Sequence, residues 1–220
     1  MSDIHGFHAV YRAIPDLARA HGVELVILAG DLLGYPDGYS NIQEAQRADA
    51  KLILETLQPL QIPVLYIMGN DDWIDLDPPG DPFKSIHGRR IDIGSFNFVG
   101  YQHTLPFMGG INEKPEEEIA RDLELLVRLM DARTVLVTHG PAFGILDLGI
   151  LDQHAGSASI LTAVDRRSVR AHIHGHIHRC FGRQDLHFNV AAAGRLRGMV
   201  IDLSTMRHDV FSGNISGGEE

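Results

Sequence analysis

The stretch Glu24-Leu-Val-Ile-Leu-Ala-Gly-Asp31 decides how this chain is read. A short, nearly continuous apolar run reads as a strand buried on both faces, and the Ala29-Gly30-Asp31 that ends it reads as a functional loop. The pattern then repeats. Ile62 to Met68 (IPVLYIM) ends at Gly69-Asn70-Asp71-Asp72, and Thr134 to Thr138 (TVLVT) ends at His139-Gly140-Pro141. Helical periodicity fills the gaps. Asn41 to Leu57 is the clearest amphipathic helix, with Asn41 as N-cap. Lys114 to Met130 carries Pro115 in its first turn and Glu116 to Glu118 against the helix dipole. Ser157 to Val164 is a third helix. Phe7 to Ala20 has helical spacing too, but Pro15 argues for a break or a late start. Ile91 to Tyr101 reads as two short strands around Gly94-Ser95, residues 75–82 as a turn-rich loop, and Ala171 to Phe211 as short strands with turns between them. Strands alternate with helices early and cluster late, which predicts a layered α/β fold with a second, more antiparallel sheet. No repeat or linker interrupts the pattern, so one domain is expected over 1–211, followed by a polar, disordered tail over 212–220.

Composition supports a globular domain. The 220 residues are 44% hydrophobic and 22% charged, which excludes a disordered, fibrous or low-complexity chain. The formal net charge of −10 repels nucleic-acid backbones and anionic membranes. The basic stretches, Arg166-Arg167 with Arg170 and Arg195 with Arg197, are too short to reverse that, so broad nucleic-acid binding is not expected. Cys180 is the single cysteine, so no intrachain disulfide forms, which fits a reducing cytoplasm. No apolar run approaches the roughly 18 residues of a membrane span, and MSDIHGFH has no signal-peptide character. A soluble, cytoplasmic protein is expected; a homo-oligomer stays open.

Histidine is the unusual feature. There are 13, and four alternate in His172-Ile-His-Gly-His-Ile-His178. Polar clusters end the apolar strands, and one more opens the chain: Asp3-Ile-His5, Gly30-Asp31, Gly69-Asn70-Asp71, His139-Gly140 and Gly175-His176-Ile-His178. Ligands in open α/β sheets collect outside the carboxyl ends of strands, so the five clusters can converge. Pooled, they offer two Asp, one Asn and four His. Mixed oxygen and imidazole ligation suits manganese, iron, zinc or cobalt rather than a soft metal, and two ions sharing a carboxylate would use all seven side chains.

The ordered set D-x-H, G-D, G-N-x, H-G and G-H-x-H resembles the calcineurin-like metallophosphoesterases, from Asp3 to about His178. The resemblance implies a four-layer α/β/β/α sandwich of two mixed sheets, with the site at the strand ends. It implies Asp3, His5 and His178 on a first metal, Asn70, His139 and His176 on a second, and Asp31 bridging with its two oxygens. Asp31, Asn70 and His139 are the catalytic set it carries over. Two divalent ions would be held, manganese foremost, with iron, zinc, cobalt or nickel also suited. They would clamp a phosphate and activate a hydroxide that attacks phosphorus in line with the leaving oxygen. The implied activity is phosphodiester hydrolysis of a small phosphoester or nucleotide. A phosphomonoesterase or nucleotide hydrolase with the same metals, or a catalytically weak protein-binding scaffold, are the alternatives.

Two departures stand out. The family usually places His after G-N, where it helps protonate the leaving group; here the residue is Asp71. The family also delivers D-x-H from an apolar first strand, whereas only Met1 and Ser2 precede Asp3. That leads one to expect a start further upstream, or else a missing central strand with Asp3 and His5 loosely held and a weaker first metal site. Among the remaining residues, His172 and His174 are expected to be packed or hydrogen-bonded. His154 and His103 are candidates to reach substrate from loops, and Trp73 and Phe143 are candidates to line a groove. Cys180 is expected to pack on a strand, and Arg195 and Arg197 to be solvated.

Overall fold

Alternation within single strands fixes the layers. The computed structural model describes residues 1–213. In β2 (Val64–Ile67), Val64 and Tyr66 join one apolar cluster while Leu65 and Ile67 join another. The first cluster holds β2 against two helices, α1 (His8–Ala20) and α2 (Ile42–Leu57), through Val10, Tyr11, Ile14, Ile53 and Leu57. The second holds it against another sheet, through Phe98, Val135, Val137, Ile173 and Phe188. In β6 (Thr134–Thr138) the alternation runs the other way: Val135 and Val137 face the first sheet. Leu136 meets α3 (Glu116–Leu126) and α4 (Ala158–Arg167). Period-2 strands buried on both faces therefore sort their side chains into three cores, and the result is the α/β/β/α sandwich.

The first sheet runs β1-β2-β3, with β1 (Val26–Ala29) and β3 (Phe83–Ser85) both parallel to β2. The second adds β4 (Arg90–Ile93), β5 (Phe96–Tyr101), β7 (Ala171–His174), β8 (Gly182–Gln184) and β9 (His187–Asn189) to β6. Its order is β4-β5-β6-β7-β9-β8, parallel at the centre and antiparallel at both edges. A hairpin of β10 (Leu196–Asp202) and β11 (Arg207–Gly213) follows.

Residues 1–3 lie between β1 and the segment after β9. The Met1 nitrogen donates to the Ile27 carbonyl, and Ala29 N–H donates back to the Met1 carbonyl, both at 2.8 Å. On the other side Ser2 N–H donates to Val190 and Ala192 N–H to Ser2. This stub makes one parallel bridge, Ser2 with Ala191, where a central strand would stand. Loose mooring is not found: Ser2, Asp3 and Ile4 are fully buried.

Other boundaries shift for identifiable reasons. α1 runs through Pro15 without a break, because Val10, Tyr11, Ile14 and Ala18 bury one continuous face and that burial outweighs one lost backbone hydrogen bond. Asn41 caps α2 by accepting from Glu44 N–H at 3.0 Å. α3 begins at Glu116, making Pro115 its N-cap, and its last turn tightens into a 3-10 helix, Val127–Leu129. α4 runs on to Arg167 behind Ser157, its N-cap. β11 takes in Ser212 and Gly213, the first two residues of the expected tail; residues 214–220 lie outside the described part of the chain. Among the described residues no helix is long and apolar enough to cross a membrane.

Candidate metal centre

Four strands of the two central layers deliver their polar clusters to the same end of the sandwich. β1 hands over Asp31, β2 leads into Asn70, β6 into His139, and β7 into His176 and His178, while the stub supplies Asp3 and His5. Asp3, His5 and His178 form one group, and Asp31, His139 and His176 another; within each, donor atoms lie within 4.8 Å of one another. His178 Nε2 is 3.0 Å from Asp3 Oδ1, although the two are 175 residues apart in sequence. Asp31 Oδ2 lies 3.2 Å from His139 Nε2 and 3.9 Å from His5 Nε2, so it stands between the groups. Asn70 Oδ1 is 3.1 Å from His139 Nε2. All seven expected residues are thus brought together. Asp31 Oδ1 accepts the Asp71 N–H at 2.8 Å, and Oδ2 faces both groups.

The backbone is strained where it holds these groups. Asp3, His5, Asp31 and His176 all adopt left-handed conformations, with φ between 50° and 65°. For residues other than glycine this costs of order 1–3 kcal/mol each, and it persists only where the surroundings over-determine it. Several residues that the sequence reading missed supply that determination. Buried Asp72 accepts from Leu32 N–H (3.0 Å), Leu33 N–H (2.8 Å) and Gly69 N–H (2.8 Å), fastening the Asp31 loop to the Asn70 loop. Burial, and then the charge of Asp31, push the Asp72 carboxyl up to about 7. Buried Asp49 accepts from Gly34 N–H at 2.7 Å and sits 2.6 Å from His8 Nε2. Asn112 Nδ2 donates to the Gly69 carbonyl at 2.9 Å. Only Asp72 had a signal in the sequence, its place in the Gly69-Asn-Asp-Asp72 cluster.

Lone pairs converge here. His139 Nδ1 lies 2.9 Å from the Ala29 carbonyl, which can only accept, so Nδ1 carries the hydrogen. Its Nε2 then faces Asp31 Oδ2 and Asn70 Oδ1, two further acceptors. Only a cation satisfies that arrangement, either a proton or a metal ion. The donor set of imidazole, carboxylate and amide oxygen fits a divalent first-row metal. In the metal-free protein the proton takes the place: burial opposes charge on His139, but the charge and hydrogen bond of Asp31 outweigh it and raise the imidazole to about 10. Burial also raises the cost of charge on Asp3, yet its His178 hydrogen bond and the nearby imidazoles hold it well below the usual carboxylate range. His176 is depressed to about 4 by burial and then by His139, so it stays neutral and free to ligate.

These shifts carry a sign. A folded-state value above the ordinary 6.5 means that the His139 proton stabilises the metal-free fold fully below pH 6.5, an effect lost as pH rises through about 10. Metal uptake at pH 8 displaces that proton. Calorimetric titration with manganese in buffers of different ionisation heat is expected to show release of about one proton per protein from this residue; heats independent of buffer would show that His139 is already neutral.

The remaining expectations divide. His172 is buried, with Nε2 2.7 Å from Thr138 Oγ1 and Nδ1 2.9 Å from His187 Nδ1, and His174 stacks on it. His154 is held at Nδ1 by Asp147 Oδ1 (2.8 Å) and lies against Phe143. His103 packs between His87 and Tyr101, and its loop instead brings Phe107 edge-on to His176, with ring centres 5.3 Å apart. The Trp73 amide is held by Gln46 Oε1. Cys180 lies in the short 3-10 turn His178–Cys180, not on a strand, and its thiol points to the Leu148 carbonyl. Arg195 is exposed, as expected, but Arg197 is not simply solvated. It donates to the Ala191 carbonyl at 2.7 Å and lies 4.2 Å over the Phe181 ring, because a guanidinium can cover an aromatic face while capping a carbonyl.

The family model described as calcineurin-like phosphoesterase matches residues 1–180. The chain belongs to that family, whose chemistry is metal-dependent phosphoester hydrolysis. Solved structures agree on the fold. One crystal structure superposes with a TM-score of 0.74 at 14% identity, covering 96% of each chain. TT1561 of Thermus thermophilus superposes with a TM-score of 0.71 at 14% identity, over 98% of this chain and 96% of that one. GAP50, the anchor in the inner membrane complex of Plasmodium, gives 0.51 at 15% identity, over 89% of this chain and 71% of that one. No curated protein matches the sequence.

Proposed function

We propose that the protein hydrolyses phosphodiesters of small molecules or nucleotides with two divalent cations, manganese foremost. The observation that carries this reading is the position of Asp31 Oδ2, between His5 of one donor group and His139 of the other. Asp3, His5 and His178 would hold one ion, and Asn70, His139 and His176 the other, with Asp31 shared. When bound, such a pair lowers the pKa of water and offsets the charge of a phosphate in its transition state. The chain's own residues do the rest. The backbone strain and the Asp72 fastening hold the donors in place before substrate arrives, and the partly exposed His5 and His178 leave that side open for its approach. No imidazole follows Asn70. Asp71 has both carboxylate oxygens engaged by Tyr35 and His5, so neither is turned free toward a leaving group. The single cysteine supports a reducing, cytoplasmic setting.

The test is hydrolysis of bis(p-nitrophenyl) phosphate by protein stripped with chelator and reloaded with manganese, beside p-nitrophenyl phosphate and an alkyl diester. Turnover is expected only with metal, faster on the diester than on the monoester. A positioned general acid contributes roughly 10²–10⁴-fold. Aryl esters should therefore outrun alkyl esters by at least about 10²-fold here. Equal aryl and alkyl rates would sink the leaving-group argument, and no turnover by the manganese-loaded protein would sink the enzymatic reading.

A further inference from the structure

Asp71 stands where the family usually has histidine, and the structure gives all four of its polar atoms a partner. Its N–H donates to Asp31 Oδ1 at 2.8 Å. Its carbonyl accepts from Gln46 Nε2 at 2.8 Å and from the Tyr35 hydroxyl at 2.9 Å. The same hydroxyl bonds Asp71 Oδ1. The remaining oxygen, Oδ2, lies 3.3 Å from His5 Nδ1. His5 itself is held in a left-handed conformation, with its other nitrogen turned toward Asp31.

We infer that Asp71 is the positioning residue of His5: its carboxylate, clamped by Tyr35, fixes the ring and tautomer of that histidine so that Nε2 presents its lone pair to the first cation. The inference rests on the metal-centre reading above. A carboxylate on the distal nitrogen of a ligating imidazole sets its orientation and raises its basicity, and removing such a partner costs about 10–100-fold in metal affinity. The need is local. The His5 side chain is 29% exposed, so burial alone does not orient the ring, and Asp71 Oδ2 faces its Nδ1. Asp71 also joins His5 to Asp31, tying a ligand of one group to the residue that stands between both. Tyr35, half exposed at the mouth, has its hydroxyl turned inward onto this carboxylate and not outward to solvent.

The experiment is manganese titration of the metal-free protein by calorimetry, with metal content checked by mass spectrometry. Wild type, Asp71→Asn, Tyr35→Phe, His5→Gln and the double variant His5→Gln/Asp71→Asn are compared. Wild type is expected to take up two ions. Asp71→Asn should weaken one of them about 10–100-fold and spare the other, Tyr35→Phe should weaken the same ion less, and Asp71→Asn should add little to His5→Gln, because both act on one ligand. Two ions bound to Asp71→Asn at wild-type affinity would overturn the inference alone. So would full additivity with His5→Gln, or loss of both ions together with a lower melting temperature of the metal-free protein. A wild-type protein that binds no manganese would overturn the metal-centre reading and this inference with it.

Discussion

Asp31→Asn is expected to lower manganese-dependent hydrolysis of bis(p-nitrophenyl) phosphate by about 10³-fold or more, with the fold intact. Losing several kcal/mol of charge stabilisation at the reacting phosphate corresponds to a factor of that size. The substitution is nearly isosteric. The amide oxygen can still accept the Asp71 N–H, which keeps the loops in register. The change falls on Oδ2, where an amide nitrogen would replace the one oxygen that faces both His139 and His5. Donor hydrogens would then point to where the proposed cations would bind. It would also remove the charge that raises His139, so the pH-dependent stability of the metal-free protein should flatten between 6.5 and 10. Steady-state kinetics, metal content and circular dichroism read the three parts separately. A variant that kept a tenth of wild-type kcat would show that Asp31 is peripheral.

Gly69→Ala is the second large effect, and it acts through space. Gly69 lies so close to the neighbouring loop that a Cβ would run into the Asp31 carboxylate and backbone nitrogen, and would come within 2.8 Å of His139 Cε1. None of these can yield cheaply, since the carboxylate is tied by Asp71 and the ring by Ala29. The loops must part, pulling on the bonds from Gly69 N–H to Asp72 and from Asn112 to the Gly69 carbonyl. Overpacking of this kind costs typically 1–3 kcal/mol. The separation also moves Asp31 from His139, so activity is expected to fall by more than about 10²-fold alongside the lower urea midpoint. Loss of stability with full activity would show that the loops absorb the methyl without moving the donors.

Much of this was legible from period and order alone. β6 has the limits its apolar run predicted, Asn41 caps α2, and four of the five polar clusters arrive at one end because each follows a buried strand. What stayed hidden depends on partners distant in the chain. Pro15 reads locally as a break, yet α1 survives on burial against the first sheet. Asp72 reads as one more acidic loop residue until Leu32 and Leu33, forty residues away, donate to it. Arg197 reads as solvated until Phe181 lies beneath it. Left-handed φ at Asp3, His5, Asp31 and His176 is equally silent in sequence, since it is imposed from outside on residues that do not choose it.

The stub between β1 and the segment after β9 has a mechanical meaning. It is where the two sheets join, and the donors straddle that join: Asp31 and Asn70 come from one layer, His139, His176 and His178 from the other, with Asp3 and His5 on the stub itself. Cations bound there would act as a rivet through the seam. It could be set only after both layers have formed and residue 3 has met a segment some 175 residues on, so it would not guide early folding. Once set, it would resist shear of one sheet past the other and stabilise only the assembled state.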